Sequence, residues 1–106
     1  MAEKTIMLCC SAGMSTSLLV TKMQKAAEDQ GKDVEIFACP AAEADDNLAQ
    51  NKIDCILLGP QVRYMENEFK QKVDGKNIGL AVIDMQAYGM MDGAKVLDQA
   101  YQLMSE

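Results

Sequence analysis

Four short, largely apolar runs, at residues 5–9, 34–39, 54–58 and 78–83, alternate along the chain with segments of helical spacing, and this alternation constrains the fold most. Runs of this length, bounded by Gly, Pro or polar turns, read as buried strands. Residues 15–30 place Leu19, Met23, Ala26 and Ala27 at helical intervals, and Gly31 stands where a helix must stop. Residues 41–50 read as a short acidic helix and 62–73 as a third helix. Residues 74–77 (Asp-Gly-Lys-Asn) read as a turn. A last helix spans 92–104, with Asp92 as N-cap and Val96, Leu97, Ala100, Tyr101 and Met104 as its apolar stripe.

Strands separated by helices pair in parallel, because each connection must cross back over the sheet. The expected fold is α/β, a doubly wound four-stranded parallel sheet flanked by helices on both faces, with residues 1–106 in one domain. Such sheets bind ligands beyond the carboxyl ends of their strands, where the winding reverses. The loop after the first strand is one wall of that crevice.

That loop reads Cys10-Ser11-Ala12-Gly13-Met14-Ser15-Thr16, and its composition suits an anion. Small residues let the backbone curl, Gly13 permits a positive φ, and the following helix adds unsatisfied amides and the positive end of its dipole. Ser11, Ser15 and Thr16 add hydroxyls. Residues 11 to 16 (Ser11, Ala12, Gly13, Met14, Ser15, Thr16) are therefore the expected phosphate cradle, a phosphatase-like loop after the first strand. The field that holds a phosphate also favours a thiolate, which makes Cys10 the candidate nucleophile.

The spacing matches the Cys-x5-Arg loop of cysteine phosphatases except at its last position, where Thr16 replaces arginine. Arginine grips two phosphoryl oxygens in the transition state, and the single arginine of this chain, Arg63, follows the third strand. Hydrolysis of phosphomonoesters is therefore disfavoured. The residues leave three readings open: a phosphoryl carrier, a small cysteine phosphatase or arsenate-reductase-like enzyme, and a thiol redox sensor.

Composition removes other classes. Sixteen acidic against ten basic residues give a net charge of −6 without a basic patch, so nucleic acid is not an expected partner. No histidine is present, which removes the commonest base, nitrogen phosphoryl carrier and metal ligand; no metal and no cofactor are expected. No apolar run approaches the ~20 residues of a membrane span, so the chain is expected to be soluble and cytoplasmic. The cysteines at 9, 10, 39 and 55 lack metal or scaffold spacing and read as reduced thiols.

A cysteine at a strand end is often simply a small buried hydrophobe. Strand alternation turns Cys9 away from the face of Cys10, so Cys9 and mid-strand Cys55 are assigned to the core. Cys39 ends the second strand on the edge that carries Cys10, and a Cys10–Cys39 link is the expectation of the redox reading. Gly59-Pro60-Gln61 and Tyr88-Gly89 are candidate further walls, and Met14, Met90 and Met91 a candidate apolar rim.

The stretches at residues 7–20 (Met-Leu-Cys-Cys-Ser-Ala-Gly-Met-Ser-Thr-Ser-Leu-Leu-Val), 57–62 (Leu-Leu-Gly-Pro-Gln-Val) and 82–84 with Tyr88-Gly89 resemble the enzyme IIB component of the lactose/cellobiose (chitobiose) family of the bacterial phosphoenolpyruvate-dependent sugar phosphotransferase system. The resemblance covers essentially the whole chain. It implies a carrier whose cysteine, here Cys10, takes a phosphoryl group from a phosphohistidine of the IIA component. It further implies transfer to a sugar, cellobiose or a related β-disaccharide, held by the membrane IIC component. It also implies transient interfaces, and the chain itself is expected to be monomeric. The missing histidine then belongs to the donor.

Overall fold

Residues 6 to 10 are fully buried, so the first strand has both faces covered, as a central parallel strand requires. The computed structural model describes residues 4–11 and 14–104, with Met14 and Ser15 described by backbone alone. Strands β1 (Lys4–Cys10), β2 (Val34–Pro40), β3 (Cys55–Leu58) and β4 (Gly79–Val82) form one parallel sheet in the order β2-β1-β3-β4. The path steps from β1 to β2, then crosses back to β3. The winding therefore reverses between the carboxyl ends of β1 and β3.

Helices α1 (Met14–Asp29) and α5 (Gly93–Met104) cover one face, where Leu19, Met23, Val96, Leu97 and Ala100 pack with Ile6, Leu8 and Leu57. Helices α2 (Ala44–Gln50) and α3 (Glu66–Val73) cover the other, where Ala44, Phe69 and Val73 meet Met7, Cys9, Ile56 and Leu58. Each fully buried large apolar side chain contributes about 2 kcal/mol through burial. Lys72 links α3 to α2 through Asp45 at 2.8 Å. The short helix α4 (Met85–Gly89) follows β4.

The helix stop at Gly31 is a two-bond C-cap. Gly31 has φ +69°, its N–H donates to the Glu28 carbonyl at 3.1 Å, and the Lys32 N–H donates to the Ala27 carbonyl at 2.9 Å. Asp92 caps α5, accepting from the Lys95 N–H at 3.2 Å. Gly93 lets α5 approach α1 closely, since a Cβ there would lie 2.5 Å from the Lys22 carbonyl carbon.

The expected elements and the observed ones differ at several joints. Residues 41–43 and 60–65 are 3-10 turns leading into α2 and α3, so two expected helices are shorter than their sequence pattern suggests. Pro60 stands at the first position of the second turn, which suits its missing N–H. Helix α4 is not among the expected elements; Asp84 starts it by accepting from the Ala87 N–H at 3.0 Å, a cap whose sequence signal is a lone aspartate before five residues. Cys10 is the last residue of β1 rather than the first of the loop.

Candidate functional site

Cys10 ends β1 at the reversal of the winding and is fully buried. It continues the alternation of Ile6 and Leu8 and so faces α1. Thr16, in the first turn of α1, is also fully buried, and its Oγ1 lies 3.3 Å from the Cys10 Sγ. A hydroxyl at that distance can donate to a thiolate or to an oxygen bound to the sulfur. The helix start also directs its dipole toward this end of the sheet.

Ser11 is exposed at a bend beside Cys10. Ala12 and Gly13 lie outside the described residues, as do the side chains of Met14 and Ser15, whose backbones open α1. The curl of the expected cradle is thus described at its two ends, Cys10-Ser11 and Thr16.

The turn after β3 forms a second wall. The Gly59 N–H donates to the Cys9 carbonyl at 2.7 Å, and a Cβ on Gly59 would lie 3.4 Å from the Cys10 Cβ and 2.9 Å from the Gln61 Oε1. Gly59 has φ −62°, an ordinary value, so its glycine serves space rather than conformation. Gln61 folds over it and donates from Nε2 to the Tyr88 hydroxyl at 2.9 Å, joining the turn after β3 to α4. Both candidate walls named from the sequence therefore meet in one hydrogen bond.

The rim methionines separate. Met90 is 68% exposed, whereas Met91, with φ +54°, packs on the α1/α5 core. Leu18, on α1, is 54% exposed and Tyr64 is 77% exposed. Leu18, Tyr64 and Met90 are thus exposed large side chains in the segments that follow β1, β3 and β4.

The expected Cys10–Cys39 approach is corrected by the register. Cys10 stands opposite Pro40, while Cys39 stands opposite Cys9, and the Cys9 and Cys39 sulfurs are 3.8 Å apart on the α2/α3 face. Side chains at one parallel register position share a face, which the spacing of residues 10 and 39 in sequence does not reveal. Cys9 and Cys55 are fully buried in the core. Burial, reinforced by Asp54, pushes the Cys55 thiol up to about 12.

Among the described residues, no cluster of three or more His, Cys, Asp or Glu could hold a metal ion, and no helix is long and apolar enough to cross a membrane.

Similarity to known proteins agrees with this geometry. Residues 5–99 match the family described as "PTS system, Lactose/Cellobiose specific IIB subunit". The chain is 55% identical over 108 residues to a cellobiose-specific EIIB component of Lactococcus lactis subsp. lactis, covering 99% of this chain and 100% of the relative. It is 54% identical over 108 residues to a galactose-specific EIIB component of Lactococcus lactis subsp. cremoris, with the same coverage. The solution structure of a cellobiose-specific phosphotransferase IIB component from Borrelia burgdorferi superposes with a TM-score of 0.77 at 31% identity, covering 96% of this chain and 92% of that one. With the sheet order, the reversal beside Cys10 and these matches together, the chain belongs to the lactose/cellobiose-specific IIB subunits of the sugar phosphotransferase system.

Proposed function

We propose that Cys10 is the phosphoryl-accepting residue of this subunit, loaded by a phosphohistidine of a IIA component and unloaded onto a sugar held by a membrane IIC component. Membership in the IIB family supports a sugar phosphotransfer role alongside IIA and IIC components. The observation that carries the finer reading is the Cys10 Sγ at the strand end, 3.3 Å from the buried Thr16 hydroxyl at the start of α1.

In the first transfer the Cys10 sulfur attacks phosphorus in line with the donor N–P bond. The S–P bond forms, the N–P bond breaks, and the thiol proton is left with the donor imidazole. In the second, a sugar hydroxyl attacks the phosphocysteine, the S–P bond breaks, and the hydroxyl proton returns to sulfur once a base on the partner has released it. The protein supplies position and charge stabilisation, which is the larger part of phosphoryl-transfer catalysis. Amides of residues 11–16 and the Thr16 hydroxyl receive the dianion. Neutral donors hold the phosphoryl group without the arginine that would favour its hydrolysis.

The sugar is proposed to be a β-disaccharide such as cellobiose. Relatives of nearly equal identity carry cellobiose and galactose in their names, which supports a sugar choice made on another component. The single 106-residue domain is proposed to act as a soluble cytoplasmic monomer.

The test is transfer of labelled phosphate from phosphorylated IIA. The expected result is one labelled cysteine, lost in Cys10→Ser and retained in Cys9→Ser. Label retained in Cys10→Ser would sink the assignment. Turnover of a chromogenic phosphomonoester that depends on Cys10 would favour a phosphatase instead.

A further inference from the structure

The Cys9–Cys39 pair lies on the sheet face opposite the Cys10 side chain, and it is placed like a redox couple. We propose that Cys9 and Cys39 are a thiol oxidation site, converted by a hydroperoxide into a disulfide that joins β1 to β2 on the sheet face opposite the Cys10 side chain. This rests on the register and the packing, and holds whether or not Cys10 carries phosphate.

Cys9 and Cys39 occupy one register position of adjacent parallel strands, and both side chains lie in the α2/α3 core. Neighbouring strands run about 4.8 Å apart, within the separation of α-carbons that a disulfide bridges. The sulfurs are already 3.8 Å apart and both thiols are free. Closure to a bond of about 2.05 Å brings sulfurs now 3.8 Å apart roughly 1.8 Å nearer.

The two thiols are not equivalent. The hydrogen bond between the two sulfurs lowers the Cys39 thiol from its ordinary value, against opposition from burial and Glu43 and with support from Asn47. Cys9 is pushed up by the same hydrogen bond and by its burial. These directions favour Cys39 as the thiol that reacts first. Cys39 also sits near the carboxyl end of the edge strand β2 and is 6% exposed, whereas Cys9 is 0% exposed. A molecule as small as hydrogen peroxide meets Cys39 first.

The chemistry balances in two steps. The Cys39 thiolate attacks one peroxide oxygen, the O–O bond breaks, and the departing oxygen takes a proton to leave as water or an alcohol. Cys39 is then a sulfenic acid. The Cys9 sulfur attacks the Cys39 sulfur, the S–O bond breaks, and the hydroxide leaves with the Cys9 proton as water. Two thiols have lost two electrons and two protons, and one hydroperoxide has been reduced.

The experiment treats the folded protein with hydrogen peroxide, then denatures it, alkylates free thiols and weighs it. Cys10→Ser, which has three cysteines, is expected to lose two alkylatable thiols and the mass of two hydrogens, with both changes reversed by dithiothreitol. A linked peptide pair containing Cys9 and Cys39 is expected in the digest. Neither Cys9→Ser nor Cys39→Ser should form an intramolecular disulfide. Three alkylatable thiols in treated Cys10→Ser, stepwise oxygen addition without a cross-link, or a wild-type disulfide that includes Cys10 would each overturn the proposal. Because the readout is a thiol count, it stands apart from phosphoryl transfer, and failure of either reading leaves the other intact.

Discussion

The Thr16 hydroxyl lies 3.3 Å from the Cys10 sulfur, and both residues are fully buried where the winding of the sheet reverses. Thr16 occupies the position at which a Cys-x5-Arg loop carries its arginine, so a neutral donor stands where a cation is usual. Removal of the hydroxyl at nearly constant volume tests its part. Thr16→Val is expected to slow phosphoryl transfer to Cys10 by roughly tenfold, the worth of one hydrogen bond to a charged group, while Thr16→Ser retains most of the rate. Single-turnover transfer from phosphorylated IIA measures both; equal rates in wild type and Thr16→Val would remove Thr16 from the site.

The Gln61–Tyr88 bond joins the turn over Gly59 to α4, and it is solvent-exposed. Its worth to global stability is therefore small, below about 1 kcal/mol. Tyr88→Phe and Gln61→Ala are expected to leave the unfolding midpoint nearly unchanged while lowering the transfer rate to a similar extent. The double variant should be no worse than either single one, as a shared bond requires. Additive losses would mean that the two side chains act separately.

Gly93 sets the approach of α5 to α1. A Cβ would lie 2.5 to 2.7 Å from the backbone of Lys22 and Met23, atoms that cannot move aside as a flexible side chain can. Gly93→Ala is expected to cost about 2 kcal/mol or more, as overpacking of a rigid contact does. Urea unfolding checks this. A variant as stable as wild type would mean that the helices separate freely.

Burial, reinforced by Asp54, pushes the Cys55 thiol up to about 12 in the folded chain from an ordinary value of 9.0. Folded protein thus holds this proton over a range in which the unfolded chain has lost it. The linked stability is fully present below pH ~9 and declines as pH rises through ~12, on the order of 1 kcal/mol per pH unit. Tyrosines and lysines titrate in the same range, so the measurement compares wild type with Cys55→Val. The variant should show a shallower decline between pH 9 and 12, and parallel curves would contradict the assignment.

Much of the architecture is legible in the order of residues alone. Short apolar runs spaced by helical segments imply a parallel sheet because no tight turn joins parallel strands, and Gly31 and Asp92 mark helix ends through backbone hydrogen bonds that are local in sequence. The 3-10 turns at 41–43 and 60–65 and the five-residue α4 are not legible in this way. Their signals are a single residue long, Pro60 or Asp84, and their conformations are set by what they pack against.

For the loop at residues 10–16, the order of residues sets the chemistry on offer: a thiol, small residues, hydroxyls and a helix start, with neither histidine nor a nearby arginine. Which groups meet was decided by tertiary structure. Strand register put Cys39 against Cys9 and left Pro40 opposite Cys10, and the crossing of β3 beside β1 put Gly59 against the Cys10 Cβ. A one-residue change of register moves every side chain of a strand to the other face. That choice is made by the packing of both sheet faces at once, and no local stretch of sequence contains it.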